Sequence, residues 1–150
     1  MKLPINLPSA SALFFAVAVM FTSCQQPEGE GGTATISGKV YAFNYNNSGV
    51  LQEEFYAPDE EVYIIYGEGD NLYDDSYNTS FDGSYRFQYL RPGTYTVFVY
   101  SDCISCPSGT EAISQTVEIT GSNQDIVLDD LEIRKWAKPP TSYQNSTLYR

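Results

Sequence analysis

The chain has 150 residues, 19 acidic against 8 basic side chains, a formal net charge of −11 and no histidine. This acidic balance argues against nucleic acid and anionic lipid headgroups as partners, because both need a basic surface, whereas cations and neutral glycans stay open. The absence of histidine removes the commonest general base and the commonest transition-metal ligand, so we expect neither an enzyme nor a zinc or copper protein.

Residues 1–23 have the character of a signal peptide. Lys2 gives a positive start, an apolar run extends from Ala12 to Phe21, and two small residues stand directly before Cys24. The run is shorter than the roughly 20 residues of a transmembrane helix. The pattern resembles a bacterial lipoprotein signal, with a plain secretory signal as the alternative. It predicts palmitate or a similar lipid on Cys24 and a place in the cell envelope at the outer membrane, on its periplasmic or surface face.

The remaining 127 residues are enough for one domain with its own core. Residues 24–33 begin with the lipidated cysteine and are rich in Gly, Glu and Gln, which predicts a flexible tether. Residues 34–136 carry the folded domain. Residues 137–150 contain a Pro-Pro pair and little hydrophobic periodicity, so they predict a loose C-terminal tail.

Period-two alternation recurs through the domain and helical periodicity does not, which predicts an all-β fold. The seven predicted strands cover residues 35–43, 61–66, 71–80, 84–90, 94–100, 112–119 and 125–136. The last run changes its apolar face near Asp129 and Asp130, so we expect a bulge or a break into two strands there. About seven strands is the number expected of a β-sandwich with immunoglobulin-like architecture.

The most specific motif extends from Asp82 to Val97 and reads DGSYRFQYLRPGTYTV. Asp82 and Gly83 favour a tight turn, and Tyr85 and Phe87 fall on one face of the strand that follows. The motif resembles the carboxypeptidase regulatory-like and Cna B-type domains, with their pattern D-G-x-Y-x-F-x-x-L-x-P-G-x-Y-x-V, over residues 34–99. The resemblance implies a prealbumin-like β-sandwich, a type of domain that mostly acts as a binding, spacing or structural module.

Cys103 and Cys106 have the spacing of a thioredoxin-like redox motif. That chemistry needs the first cysteine at a helix N-terminus, where the helix dipole lowers its pKa, and these residues follow a predicted strand. A zinc ribbon would need a second ligand pair, which the chain lacks. In an oxidising compartment the pair predicts a structural disulfide, with redox and metal roles as alternatives.

Acidic residues gather in two predicted loops that a sandwich could bring together at one end. The first contains Glu53, Glu54, Asp59, Glu60 and Glu61, and the second gives the candidate calcium ligands Glu68, Asp70, Asp74, Asp75 and Asp82. Oxygen-only ligands suit calcium, although the spacing is not that of an EF-hand and solvated acidic loops are the alternative. We expect no other cofactor.

The chain also has 13 tyrosines. Alternating aromatics mostly fill a sandwich core, but Tyr73 and Tyr77 lie in a predicted polar insertion and are the candidates for exposed contacts. The sequence therefore predicts a lipid-anchored, noncatalytic envelope module that binds a glycan or an envelope protein through loops at one end of the sandwich. A calcium-stabilised structural spacer, or an accessory subunit of a surface complex, is the alternative.

Overall fold

The computed structural model describes residues 27–68 and 72–137. The predicted signal peptide, Cys24, Asp70 and residues 138–150 of the predicted tail lie outside that part of the chain. Within it the secondary structure consists of nine strands and their connections, so the all-β prediction is confirmed. No helix capable of crossing a bilayer occurs in the described residues.

The strands form two sheets that face each other. In chain order they are β1 (Glu30–Tyr45), β2 (Leu51–Tyr56), β3 (Glu61–Tyr66), β4 (Asp75–Asn78), β5 (Ser84–Leu90), β6 (Gly93–Asp102), β7 (Thr110–Ile119), β8 (Asp125–Val127) and β9 (Leu131–Trp136).

The first sheet is built around β1, which is long enough to serve two sets of partners. Its first half pairs with β5 (antiparallel) and β8 (parallel), and its second half pairs with β2 (antiparallel) and β9 (parallel). Gly38 lies opposite Tyr85, and Phe43 lies between Glu54 and Arg134. The alternation along β1 therefore sends Val40 and Ala42 inward and Tyr41 and Phe43 outward.

The second sheet has the order β4-β3-β6-β7, and all its pairs are antiparallel. On β6, Val97 lies between Ile64 and Gln115, and Phe98 lies between Tyr63 and Ser114. Because opposite residues of an antiparallel pair share a face, this register places Val97 and Ile64 on the inner face and Phe98, Tyr63 and Ser114 on the outer face.

The core fills the space between the two inner faces. Its largest fully buried side chains are Tyr85, Tyr95, Ile36, Ile64, Leu90, Ile119, Leu131 and Ile133. Burial of each such aliphatic or aromatic side chain stabilises the fold by about 1.5–3 kcal/mol. The motif of residues 82–97 supplies β5, the start of β6 and several of these core residues. Gly83 has the positive φ of 75° that its predicted turn requires.

The strand predictions differ from the structure at β2 and at β4, which covers only Asp75–Asn78 of the strand predicted over residues 71–80. β2 was not expected, because Gln52, Glu53 and Glu54 interrupt its apolar pattern; its side chains are mostly exposed, as an edge strand allows. Glu53 and Glu54 therefore lie on a strand and not in a loop. The predicted break is confirmed: β8 ends at Val127 and β9 begins at Leu131.

Residues 27–33, which belong to the tether predicted over residues 24–33, are part of the folded domain. The Gly29 amide donates to the Tyr95 hydroxyl at 3.0 Å, and the Arg91 amide donates to the Gly29 carbonyl at 2.9 Å. Further along, β1 begins at Glu30, and a Cβ on Gly32 would overlap the Leu90 carbonyl. Backbone hydrogen bonds and close glycine contacts fix this segment although it has no apolar side chain to bury.

Candidate functional site

An aromatic cluster lies on the outer face of the second sheet. The Tyr63 ring is stacked on Phe98 with centroids 5.1 Å apart and packs against Tyr73 at 4.6 Å. Tyr100 meets Tyr63 and Phe98 edge to face, at 5.6 Å in each case. Phe98 is only 8% exposed beneath its neighbours, whereas Tyr73 and Tyr100 are 52% and 51% exposed. Two tyrosine rings therefore stand open to solvent on a packed aromatic base.

A carboxylate holds the centre of this cluster in place. Glu61 accepts a hydrogen bond from the Tyr63 hydroxyl at 2.8 Å and another from the Ser76 hydroxyl at 3.1 Å. The hydrogen bond to Glu61, followed by burial, raises the pKa of Tyr63 to about 12. Tyr63 thus keeps its proton over the physiological range and presents a fixed ring to the neighbouring tyrosines.

A row of hydroxyl side chains lies beside the aromatic rings. Ser114 faces outward opposite Phe98, and the hydroxyls of Thr96 and Thr116 lie 3.0 Å apart on the same face. Ser114 and Thr116 are exposed and have short side chains, so they form a low floor next to the rings. We call the combined set the aromatic–hydroxyl surface; its members are Tyr63, Tyr73, Phe98, Tyr100, Thr96, Ser114 and Thr116.

The two predicted contact tyrosines lie on opposite faces of the second sheet. Tyr73 belongs to the aromatic–hydroxyl surface. Tyr77 lies opposite Val62 and faces inward, with its ring 6.4 Å from the Phe87 ring at the open edge between β4 and β5. Tyr77 is 38% exposed, so it covers this edge of the core while it keeps contact with solvent.

Within the predicted calcium set, the structure places Asp82 apart from Asp74. Asp74 accepts the Tyr66 amide at 2.7 Å near the start of β4, whereas Asp82 lies beyond the other end of that strand and pairs with Lys39 at 3.1 Å. Hydrogen bonds from Ser84, together with Lys39, lower the pKa of Asp82 to about 2. Asp74 and Asp82 therefore serve separate turns. Glu68 lies in the same β3–β4 connection as Asp74, Asp75 is the first residue of β4, and Asp70 lies outside the described residues.

The predicted disulfide between Cys103 and Cys106 is confirmed, with Cα atoms 5.4 Å apart. It closes a turn in the β6–β7 connection, where the Cys103 amide donates to the Gly109 carbonyl at 2.8 Å. The helix N-terminus that thioredoxin-like chemistry needs is absent from this connection. Glu111 completes a group of three potential metal ligands with the two sulfurs, but bonded sulfurs are not thiolate ligands.

A cavity of about 470 Å³ adjoins the disulfide and is walled by Trp136 and Ile104. The Trp136 amide donates to the Asp102 carboxylate at 2.9 Å, and its ring is stacked on Tyr45 at 5.0 Å. The indole nitrogen is buried and has no hydrogen-bond partner among the described residues. This end of the sandwich is therefore ordered by the contacts of β9 with β6.

The outer face of the first sheet carries a second row of aromatic rings, the β1 aromatic strip, which consists of Tyr41, Phe43, Tyr45, Tyr56 and Trp136. Tyr41 meets Phe43 at 5.3 Å and Tyr56 at 5.1 Å. The Tyr41 hydroxyl donates to Glu54 at 3.2 Å and the Tyr56 hydroxyl donates to Asp130 at 3.0 Å. Lys39 lies 4.6 Å from the centre of the Tyr56 ring. Charged side chains therefore occupy the edges of this strip.

Two rings of the aromatic–hydroxyl surface, Phe98 and Tyr100, were not identified from the sequence as contacts. They lie in an apolar strand pattern, which does not by itself tell the inner face of a sheet from the outer face. The sequence signal that could have identified them is the alternation of odd and even positions along β6. Val97 and Val99 share one face of β6, which leaves Phe98 and Tyr100 on the other.

No protein-family model matches the chain, and no curated protein matches it. Among solved structures, the chain is similar to a Pseudomonas aeruginosa protein whose crystal structure describes it as a suggested carbohydrate-binding protein. The two are 16% identical with a TM-score of 0.42, and the match covers 83% of this chain and 99% of that one. A likeness of this strength carries no inference about binding. The fold class follows from the strand pairing in this chain itself.

Proposed function

We propose that this chain is a noncatalytic binding module of the bacterial cell envelope, anchored by a lipid on Cys24, that recognises a neutral glycan through the aromatic–hydroxyl surface. The observation that carries the proposal is the pair of half-exposed rings, Tyr73 and Tyr100, on the sheet face that also carries the exposed hydroxyls of Ser114 and Thr116. Aromatic faces pack against the apolar faces of sugar rings, and short hydroxyl side chains offer donors and acceptors to sugar hydroxyls.

Charge supports a neutral ligand. The chain has a net charge of −11, and Glu61 lies within the site, so an acidic glycan would be repelled. The absence of histidine and the resemblance to domains that mostly bind or support are in keeping with a noncatalytic role. An envelope protein is the other class of partner that the sequence leaves open, and it becomes an outcome of the test below.

The test is affinity electrophoresis of the mature chain, made soluble by Cys24→Ser, in gels that contain a neutral polysaccharide such as xyloglucan, mannan or starch. We expect at least one of them to retard the protein. Each open ring is worth about 1 kcal/mol, so the double variant Tyr73→Ala/Tyr100→Ala should bind at least about tenfold more weakly.

Phe81→Ala is the matched control, since Phe81 is 95% exposed in the β4–β5 turn and lies outside the aromatic–hydroxyl surface. It removes an exposed ring and should leave the retardation unchanged. Equal retardation of the double variant and the parent would overturn this site. The absence of retardation by every polysaccharide would reject a neutral glycan and favour a protein partner.

A further inference from the structure

Residues 27–29 are fixed across one end of the sandwich. Tyr95 is fully buried; its hydroxyl accepts the Gly29 amide at 3.0 Å and donates to the Arg91 carbonyl at 2.8 Å. The Arg91 guanidinium donates to the Pro27 carbonyl at 3.3 Å. A core residue and the β5–β6 connection thus hold residues 27–29 from both sides, so this segment cannot swing as a free linker does.

Glu28 also lies close against this end of the sandwich. Its side chain occupies the space over Gly93, where a Cβ would overlap it, and its carboxylate lies 3.4 Å from the position of a Cβ on Gly67. Gly93 has a φ of 151°, which disfavours other residues at this position. The contacts continue from Pro27 to the start of β1 without a break, so residues 27–29 belong to the folded domain.

Only residues 25 and 26 stand between Cys24 and Pro27, and three residue steps span at most about 11 Å even when fully extended. We infer that the end of the sandwich formed by residues 27–30, Gly67 and Arg91–Gly93 lies against the bilayer surface, and that the disulfide end points away from it. This inference rests on the lipid anchor of the proposed function. β6 has 10 residues and connects the two ends, which places the disulfide end about 30 Å farther out.

The charges at the anchored end indicate which kind of bilayer it faces. Glu28, Glu30, Glu68 and Asp74 are acidic there, and Arg91 is the basic residue beside them. Anionic headgroups would repel this end, so the short covalent link, and not attraction, keeps it close to a zwitterionic surface. The aromatic–hydroxyl surface then faces sideways, with Tyr73 near the bilayer and Tyr100 farther out.

The single tryptophan of the chain makes this orientation measurable, because Trp136 lies at the disulfide end. The lipidated full-length protein is placed in phosphatidylcholine vesicles that contain dansyl-labelled headgroups, and energy transfer from tryptophan to dansyl is recorded. The variant Leu72→Trp/Trp136→Phe moves the donor to the exposed β3–β4 connection at the anchored end. We expect severalfold more transfer from this variant than from the parent protein.

A third protein carries 12 added Gly and Ser residues between Gln26 and Pro27 in the background of the Leu72→Trp/Trp136→Phe variant. The insertion has a root-mean-square length of about 20 Å and releases the domain from the surface, so transfer should fall toward the parent value. Equal transfer from the parent and the relocated donor, with both proteins bound to vesicles, would overturn the orientation. In vesicle flotation the parent protein should float and Cys24→Ser should not. If the parent also failed to float, the lipid anchor itself would be rejected.

Discussion

The two outer faces of the sandwich both carry rows of aromatic rings, but their surroundings differ. In the β1 aromatic strip, the hydroxyls of Tyr41 and Tyr56 bond to carboxylates, and Lys39 covers one ring. On the aromatic–hydroxyl surface, Glu61 bonds to the central Tyr63, but Phe98 lies opposite Ser114, and the short side chains of Ser114 and Thr116 leave the space beside it free. Similar aromatic content thus gives a surface closed by charged neighbours on one sheet and an open one on the other.

The difference has its origin in the strands beside the aromatic rows. β2 and β9 flank the β1 aromatic strip with long charged side chains, among them Glu54 and Arg134 opposite Phe43. β7 flanks Phe98 with a serine. Short neighbours do not cover adjacent rings, so solvent or a ligand can reach them, whereas long amphipathic side chains cover apolar surface with their methylene groups.

The largest expected difference between the two faces is in stability. Phe98 is almost fully buried under Tyr63 and Tyr100, so Phe98→Ala should lower the free energy of unfolding by about 3 kcal/mol. Phe43 is half-buried at the centre of the β1 aromatic strip, and Phe43→Ala should cost about 1 kcal/mol. Urea unfolding monitored by circular dichroism measures both. Equal losses would show that the aromatic base of the aromatic–hydroxyl surface is no better packed than the strip.

Much of the fold could be predicted from the sequence, because alternation over five or more residues identifies a strand wherever one face is buried. β3 and β5 have the predicted bounds. β2 escaped prediction because both its faces are largely exposed, so its sequence carries little alternation. The attachment of residues 27–33 also escaped, since backbone hydrogen bonds and glycine contacts leave no hydrophobic signal in the sequence.

The site was only partly predictable. Tyr73 and Tyr77 lie four residues apart, and the sequence treats them alike; the β4 register sends Tyr77 inward opposite Val62, whereas Tyr73 packs on Tyr63. A shift of one residue in that register would reverse the face of every β4 side chain. Face assignment in a short polar edge strand depends on pairing with β3, which periodicity within β4 alone does not specify.

A second prediction concerns the open floor beside the rings. Ser114→Arg places a long side chain across it and should weaken binding to the retarding polysaccharide at least about tenfold, or about 1.4 kcal/mol. The matched change on the first sheet is Val127→Arg, at an exposed outward position opposite Ser37. It adds the same charge and should leave binding intact. Both variants should keep their stability within about 0.5 kcal/mol, and equal binding losses would point to a general charge effect.

A third prediction compares the carboxylates that hold one tyrosine on each face. The hydrogen bond to Glu61 is the main cause that raises the pKa of Tyr63 to about 12, with burial second, whereas burial comes before Glu54 as the cause that raises the pKa of Tyr41. Glu61→Gln should therefore lower the pKa of Tyr63 more than Glu54→Gln lowers that of Tyr41. NMR titration of ring-labelled tyrosine measures both values.

The sign of the Tyr63 effect on stability follows from the same shift. The folded pKa lies above the ordinary value of 10, so this contribution is fully present below pH 10 and is lost as the pH rises from 10 through about 12. Glu61→Gln should flatten that alkaline loss. If this variant lost as much stability above pH 10 as the parent protein, Glu61 would not be what raises the pKa of Tyr63, and burial would be the cause.

The smallest expected effect lies at the edge of the β1 aromatic strip, where Lys39 lies over Tyr56 and bonds to Asp82. The pKa of Asp82 falls from 3.8 to about 2, chiefly through Ser84 and then through Lys39. This stabilising contribution is therefore present above about pH 4 and is lost as the pH falls toward 2. Because the pair is exposed, we expect only a small change in melting temperature.

In a plot of melting temperature against pH, Asp82→Asn should reduce the fall between pH 5 and pH 2. Lys39→Met should reduce this fall less, because the Ser84 hydrogen bonds remain in that variant. Added salt should reduce the Lys39 part and leave the Ser84 part, since screening acts on the ion pair more than on the hydrogen bonds of a tight turn. If Lys39→Met reduced the fall as much as Asp82→Asn, the lysine would be the main partner of this carboxylate. The cation would then couple the turn to the β1 aromatic strip through a cation–π contact, a kind of contact that the described rings of the opposite face do not make.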